Sequence, residues 1–513
     1  MDPSDIGDPA DGGAAYLGEL NSSFGPGNVD LSVRPRTKAQ NAVPIIPQNI
    51  VQDLGKHLSK DALVVLPSSP AYPTLSRRWQ DGGRPTYGVI VVPANEKDVS
   101  EAVKYANKHS LPFLATVGGH GTYYGMAKMQ NGMGIYLRNL TKLEVQKDGK
   151  SAIIGGGLRV EDVISGLWEK GKQTLTGTCN CVGATSPALG GGHGFLQGQF
   201  GLPADQIISA RVVLGSGKVI TVSEKENKDL YWGLKGAGHN FGIVTEMKYK
   251  IYDAVRPEWS YIYFTFQGSQ LEKLYGVLNK MMAYQPPEAI HWSVWSKNAT
   301  ADPVHPVILN SIIFNGPMSA LLAYAKPLID LPNLDVYSGT TIYPGLAEVA
   351  GYTTDGFLCQ YKGKLALWPA DVRTYEIGAL RKWYNLFDTM VNTEPALAGS
   401  FGLLEGYSTQ AVQRVPEDST AFALRKEKLL LASIIHYTPT GNATLDNVAT
   451  AWGVAMREAA QGTQKKKSYV NYAQGDETIQ EVYGYEPWRI NRLKALKKKY
   501  DPKGQFSFFN PIA

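Results

Sequence analysis

The chain has 513 residues, 43% of them hydrophobic and 19% charged, with a net charge of +5 from 51 basic and 46 acidic side chains. That length exceeds what one compact core holds, so two or more domains are expected, and the composition is neither disordered nor fibrous. The charge bias is too small to point to nucleic acid, and no stretch stays apolar over the roughly 20 residues of a membrane span.

In chain order, residues 1–47 read as an arm, acidic at its start and rich in Gly, Pro and Asp, without the basic start and apolar run of a signal peptide. A soluble, cytoplasmic protein is therefore expected, and the sequons at Asn21, Asn139, Asn298 and Asn442 are read as chance. Residues 63–74 form a lead-in. The β-branched run at 89–92, stopped by Pro93, is a strand. Asn95 caps a helix with Asp98 three residues on, and Val99, Ala102, Val103 and Ala106 form its buried stripe. A second strand at 113–117 runs into Gly118-Gly119-His120-Gly121. Strands at 134–137 and 152–154, a helix at 160–168, a hairpin around Gly215-Ser216-Gly217, a helix from Asp229 and a strand at 244–249 complete a first α+β unit.

After Pro257 the texture changes to long aromatic strands (261–266, 307–314, 429–436) alternating with helices (271–282, 374–391), as in an antiparallel sheet backed by helices. On the first strand, alternation sets Tyr261 and Tyr263 opposite Phe264 and Phe266; on an extended segment it also separates Trp292 from Trp295. The lysine clusters at 465–467 and 497–499 read as solvated faces, with a basic path for an anionic substrate as the weaker alternative. Three cysteines (Cys179, Cys181, Cys359) form an odd, low count that gives no disulfide framework.

Three glycine clusters, Gly118-Gly119, Gly190-Gly191-Gly192 and Gly236-Ala237-Gly238, lie in the first unit. Glycines between strand and helix let backbone N–H groups approach phosphate oxygens. None matches a dinucleotide fingerprint or a P-loop, and each alone is a tight turn; together they favour a diphosphate cofactor. Taken by itself, His120 reads as a structural, hydrogen-bonded residue ahead of a base or metal ligand, and Cys179 as a buried, inert thiol.

Four motifs in order carry more. Thr116-Val117-Gly118-Gly119-His120-Gly121, Cys179-Asn180-Cys181-Val182-Gly183, Gly238-His239-Asn240-Phe241-Gly242-Ile243-Val244-Thr245 and Tyr469-Val470-Asn471-Tyr472 with the tail at 508–512 resemble the berberine-bridge-enzyme-like branch of the vanillyl-alcohol-oxidase superfamily. The stretch from Gly190 to Gly198 is most similar to fungal members.

The resemblance implies an α+β, two-domain fold of the PCMH type. Its FAD domain is built from 71–255 and completed by 465–513, with a substrate domain at 256–464 inserted between and 1–70 as arm and lead-in. It implies FAD bonded through His120 at the 8α carbon and through Cys179 at C6. Two tethers retain the cofactor and raise its potential, which suits a poor hydride donor. The flavin-contacting set by resemblance is Val117, Gly118, Gly119, His120, Gly121, Thr122, Cys179, Val182, Gly183, Gly190, Gly191, Gly192, His193, Gly242, Ile243, Val244, Asn471 and Tyr472.

Pro187 stands where plant members carry a histidine, and His193 has a structural reading as good as a flavin-contacting one. Tyr123 and Tyr124 stand equally between bordering the flavin and plain packing. Val182 sits where oxidases of the family carry valine beside the flavin, which favours use of O2. Gln413 and Arg414 stand near the place of the plant-type Glu base, so Tyr469 is the expected base, with Glu405 in reserve. The implied activity is oxidation of a small secondary metabolite or a carbohydrate with release of H2O2; a flavin-dependent isomerase or oxidative cyclase, or a non-catalytic binding protein, are the rivals. The expected partners are a small-molecule substrate and O2, without nucleic acid or membrane, in a monomer or weak homo-oligomer.

Overall fold

The computed structural model describes residues 43–441 and 443–512. Most of the expected arm, and the sequons at Asn21 and Asn442, lie outside the described residues. Strands β1 (Leu63–Val65), β2 (Tyr87–Val92), β3 (Phe113–Thr116) and β4 (Gly132–Tyr136) form a sheet in the order β1-β2-β4-β3, in which β2, β4 and β3 run parallel. The helix Glu96–Lys108 crosses from β2 to β3. It starts as expected: Asp98 N donates to Asn95 Oδ1 (3.1 Å) and Asn95 N to Asp98 Oδ2 (3.2 Å). Its stripe Val99, Ala102, Val103 and Ala106 is fully buried in one cluster with Val89, Val91 and Met133. Because a parallel sheet offers ligands the carboxyl ends of its strands, the loop that leaves β3 at Val117 is the first place to look for a site.

A second, antiparallel sheet follows. Strands β5 (Leu143–Val145) and β6 (Ser151–Gly155) precede a short strand, β7 (Lys172–Gln173); then come β8 (Ile207–Val213), β9 (Val219–Ser223), β10 (Ile243–Lys250) and β11 (Tyr252–Asp253). The order is β5-β6-β10-β8-β9, with β7 and β11 paired separately. The C-terminal segment packs into this unit: Val470, Leu493, Leu496 and Ile512 share one apolar cluster with Val212, Phe241 and Met247. Asn240 clamps the tail, donating to Asn510 O (3.1 Å) and accepting from Ile512 N (3.0 Å).

The third sheet holds β12 (Glu258–Gln267), β13 (Ala289–Asn298), β14 (Asp302–Phe314), β15 (Asp335–Ile342), β16 (Lys364–Val372), β17 (Phe401–Tyr407) and β18 (Leu429–Tyr437), ordered β15-β12-β14-β13-β17-β18-β16 with antiparallel neighbours throughout. The helices Leu271–Ala283, Met318–Ile329, Ile377–Thr393 and Ala443–Gln461 cover one face. Phe264, Phe266, Trp295, Trp368, Trp383 and Trp452 fill that layer; burying each phenylalanine there contributes about 2 to 3 kcal/mol. The other face turns toward the first two sheets, where Tyr261, Trp292 and Tyr407 join a cluster with Phe195, Cys179 and Val182. The expected separation of Tyr261 from Phe264 and Phe266, and of Trp292 from Trp295, is thus present, and the fold is α+β.

Two expectations need correction. The cluster at 497–499 is not a solvated face throughout: Lys497 is buried, donating to Asn240 O (3.0 Å) and Phe506 O (2.8 Å) and paired with Asp501 (2.7 Å). Its four-carbon apolar stem reaches inward because these carbonyls and the carboxylate satisfy the ammonium there. The cysteines do form a disulfide, Cys181–Cys359. An odd count hides a single bridge spanning 178 residues, since spacing carries no trace of a pairing that only the fold creates.

Candidate active site

A cavity of about 720 Å3 lies between the carboxyl end of β3, the segment around Cys179 and the inner face of the third sheet. This is within the range of roughly 300 to 1,000 Å3 typical of small-molecule sites. Val117, Gly118, Gly119, His120, Gly121 and Thr122 line one side. Cys179, Val182, Gly183, His193, Gly242, Ile243 and Val244 line the middle. Glu405, Tyr469, Asn471 and Tyr472 close the inner end.

The β3 loop is shaped by close approach. Gly119 has φ +71°, and a Cβ on Gly118 would lie 2.6 Å from Cys181 O. His120 stacks on Trp79 (centroids 5.2 Å, 27°), while Arg78 Nη2 donates to Gly121 O (3.1 Å). Burial, reinforced by the Arg78 guanidinium, pushes the imidazole down to about 4, so it is neutral at physiological pH. Its Nε2 lies 3.2 Å from Cys181 Sγ, and its Nδ1 is buried with no hydrogen-bond partner among the described residues.

Cys179 is the free thiol; desolvation and the Glu405 carboxylate push it up to about 12. Cys181, by contrast, is tied to Cys359 in the loop that brings Tyr352, Phe357 and Leu358 to the cavity wall.

At the inner end, β17 presents Glu405, only 2% exposed. Tyr407 Oη donates to its Oε1 (3.0 Å) and Tyr472 Oη to its Oε2 (3.0 Å). Burial pushes the carboxyl up to about 7, with the two tyrosine donors opposing. Tyr469 behaves differently. Its phenol oxygen accepts from Asn471 Nδ2 (2.6 Å), and burial drives its proton affinity up, away from the range of a base. Lys467 does not help it, being paired with Glu427. His193 is held neutral by burial, at about 4. It shares a hydrogen with Gln197 Oε1 through Nδ1 (2.7 Å), stacks on Tyr407 and leaves a buried Nε2 without a partner among the described residues.

Two sequence expectations change. Gly190, Gly191 and Gly192 do not line the cavity. A Cβ on Gly190 would strike the Asn471 carboxamide, one on Gly191 the Phe422 ring, and one on Gly192 the Pro203 ring, so this run serves packing. Gly236 and Gly238 are likewise away from the lining, against Phe422 and Leu189. Of the two readings left open for Tyr123 and Tyr124, the structure fits packing: both stand outside the lining, and Tyr123 packs on Phe509. Sequence reasoning missed Arg78, Trp79, Tyr352 and Tyr407. Tyr407 was within reach, because it follows Glu405 by two residues on one strand and must share its face. The others come from loops with no local signal.

The lining carries unpaired polar atoms: Thr116 Oγ1, Thr122 Oγ1, His120 Nδ1 and His193 Nε2 have no partner among the described residues. Buried polar groups of this kind call for a polar guest. A cavity of this volume, with the Gly118-Gly119 backbone, a neutral imidazole and a free thiol in its lining, fits FAD.

Two family models match the chain, one described as FAD binding domain over residues 87–223 and one as Berberine and berberine like over residues 468–513. The fold and the family models are those of an FAD-linked oxidoreductase. The FAD-linked oxidoreductase chry5 of Gibberella zeae is 40% identical over 90% of this chain and 94% of its own length. Among solved structures, BBE-like 1 of Physcomitrella patens shares the fold with a TM-score of 0.78 at 21% identity, over 90% of this chain and 98% of that one. Glucooligosaccharide oxidase from Acremonium strictum, whose structure is described with a 6-S-cysteinyl, 8α-N1-histidyl FAD, gives 0.77 at 20% identity over 90% and 99%. The chain belongs to the berberine-bridge-enzyme-like family of FAD-linked oxidoreductases. Among the described residues no helix is long and apolar enough to cross a membrane.

Proposed function

We propose that this chain is an FAD-dependent alcohol oxidase in which His120 and Cys179 tether the cofactor and Glu405 is the base. The net change is loss of two hydrogens from a substrate CH–OH to give C=O, with O2 reduced to H2O2. His120 and Cys179 would hold the FAD, which when bound would supply the hydride acceptor and the two-electron route to O2. Glu405 takes the hydroxyl proton as the C–H bond is broken, so its carboxylate becomes a carboxylic acid. The single observation that carries this reading is Glu405 itself: a buried carboxyl at the cavity's inner end, held by two tyrosines and pushed up to about 7. A base works best when its proton affinity lies near the operating pH. Tyr469, the base expected from sequence, is reassigned here to holding Asn471.

For the tether, the unpartnered Nδ1 of the neutral His120 supports that nitrogen as the bonding atom. Cys179 is the thiol left for the second bond, since Cys181 is consumed by Cys359. Val182 in the lining supports access for O2. The same disulfide favours an oxidising compartment over the cytoplasm expected from sequence.

Intact mass and visible spectra test the tethering. The purified protein is expected to carry one FAD that survives denaturation, as are His120→Ala and Cys179→Ala singly, while the double variant releases it. Oxygen uptake then tests the chemistry, with one H2O2 expected per carbonyl formed. Release of flavin from the unaltered protein on denaturation, or turnover without O2 uptake, refutes the corresponding part.

A further inference from the structure

The register of the third sheet fixes what a substrate must look like. Residues two apart on β17 share a face, so Phe401, Leu403, Glu405 and Tyr407 all point inward. Their partners follow from the pairing. Val294 on β13 stands opposite Leu403, Ile434 on β18 opposite Phe401, and Leu367 on β16 opposite Ile434. All of them line the cavity, and Leu367, Leu403 and Ile434 form one apolar cluster against which Val294 and Phe401 pack. The wall leading to Glu405 is therefore a continuous hydrocarbon surface that ends in one carboxyl.

The polar side chains near this wall do not change its character. Ser400 accepts from the His436 backbone N–H (3.1 Å). Lys297 sits exposed at the rim and donates to Asn392 Oδ1 (2.8 Å) and Val391 O (3.4 Å). Ser296 lies beside it on β13. A sugar carries a hydroxyl on nearly every carbon, and each one buried without a partner costs about 1 to 3 kcal/mol. A site that hydrogen-bonds one hydroxyl and offers hydrocarbon to the rest selects against such a guest.

Resting on the proposed oxidase reading, we infer that the substrate is an uncharged, largely apolar alcohol, with a single hydroxyl delivered to Glu405 and an aromatic or aliphatic body lying on Val294, Leu367, Leu403 and Ile434, and not an oligosaccharide. The structure supplies contact area to the body and one acceptor to the hydroxyl, which together set both orientation and selectivity.

The test is a titration of the holoenzyme under anaerobic conditions with 4-alkylbenzyl alcohols of rising chain length, and separately with xylobiose, read as perturbation or bleaching of the flavin absorbance. Each added methylene is expected to lower Kd about fourfold until the wall is covered, while xylobiose gives no change. Leu403→Asn, with an unaltered flavin spectrum as proof of folding, is expected to flatten the dependence on chain length. Affinity indifferent to chain length, no response to any benzyl alcohol, or tighter binding of xylobiose overturns the inference while leaving the flavoenzyme reading intact. A colourless purified protein overturns both.

Discussion

Replacing Glu405 by Gln preserves shape and removes the proton acceptor. The consequence has two parts of opposite sign. Catalysis loses its base, a group worth roughly 100- to 10,000-fold in rate. Stability should improve. The carboxyl rises from 4.5 to about 7 on folding, so the folded chain holds its proton more tightly than the unfolded chain does. The stability this confers is fully present below 4.5 and is lost as pH rises through about 7. At 1.36 kcal/mol per pH unit, the ionised carboxylate therefore costs about 3 kcal/mol in weakly alkaline solution, and the neutral amide escapes that cost. The assays are anaerobic flavin reduction by substrate and urea unfolding, each as a function of pH. In the parent protein the reduction rate should fall about tenfold per pH unit below the carboxyl's midpoint near 7. In Glu405→Gln it should be low and flat, and the variant should gain unfolding free energy only on the alkaline side. A variant reduced within a few-fold of the parent rate, or a larger loss in Tyr469→Phe than in Glu405→Gln, would return the role of base to Tyr469 and refute the assignment.

Other changes follow from the same contacts. Tyr472→Phe removes the hydrogen bond that stabilises the Glu405 carboxylate; the carboxyl's proton affinity rises, and the midpoint of flavin reduction should move above about 7 when measured across pH. Cys359→Ser opens a bridge that closes 178 residues; chain entropy sets a ceiling of about 5 kcal/mol on the loss, and urea unfolding is expected to show about 2 to 5. Lys497→Met leaves the Asn240 and Phe506 carbonyls and Asp501 without their shared cation. A loss of about 3 to 5 kcal/mol is expected, read as earlier proteolysis of the C-terminal segment.

Local rules made much of this fold legible. The capping box at Asn95 and Asp98, the hairpin at 215–217 and the aromatic alternation on β12 and β13 are short-range signals, and the structure contains each of them. What the sequence hid was everything decided by distant packing. Gly190, Gly191 and Gly192 look like a phosphate loop because glycine tolerates close approach of anything; here the approaching groups are Asn471, Phe422 and Pro203. The Cys181–Cys359 bridge and the stack of Trp79 on His120 join segments whose proximity no spacing encodes. The choice between Tyr469 and Glu405 turns on burial, and burial is a property of the fold.

One physical cause runs through the whole inner cavity. Desolvation penalises charge, so it holds His120 and His193 near 4, raises the Cys179 thiol to about 12 and drives the phenols of Tyr352, Tyr407 and Tyr472 upward. Every one of these groups is neutral across the physiological range. Glu405 is brought into it instead, because a carboxyl starts low and the same penalty moves it up. Burial in this pocket thus brings the Glu405 carboxyl into the physiological range and takes these imidazoles, the thiol and the phenols out of it. The expected pH profile of flavin reduction is accordingly a single rising limb, without the falling limb that an ionised partner acid would add. A bell-shaped profile would show that a second group on the chain shares the proton transfer, one that loses its proton above the midpoint of Glu405, which excludes His193, already neutral there.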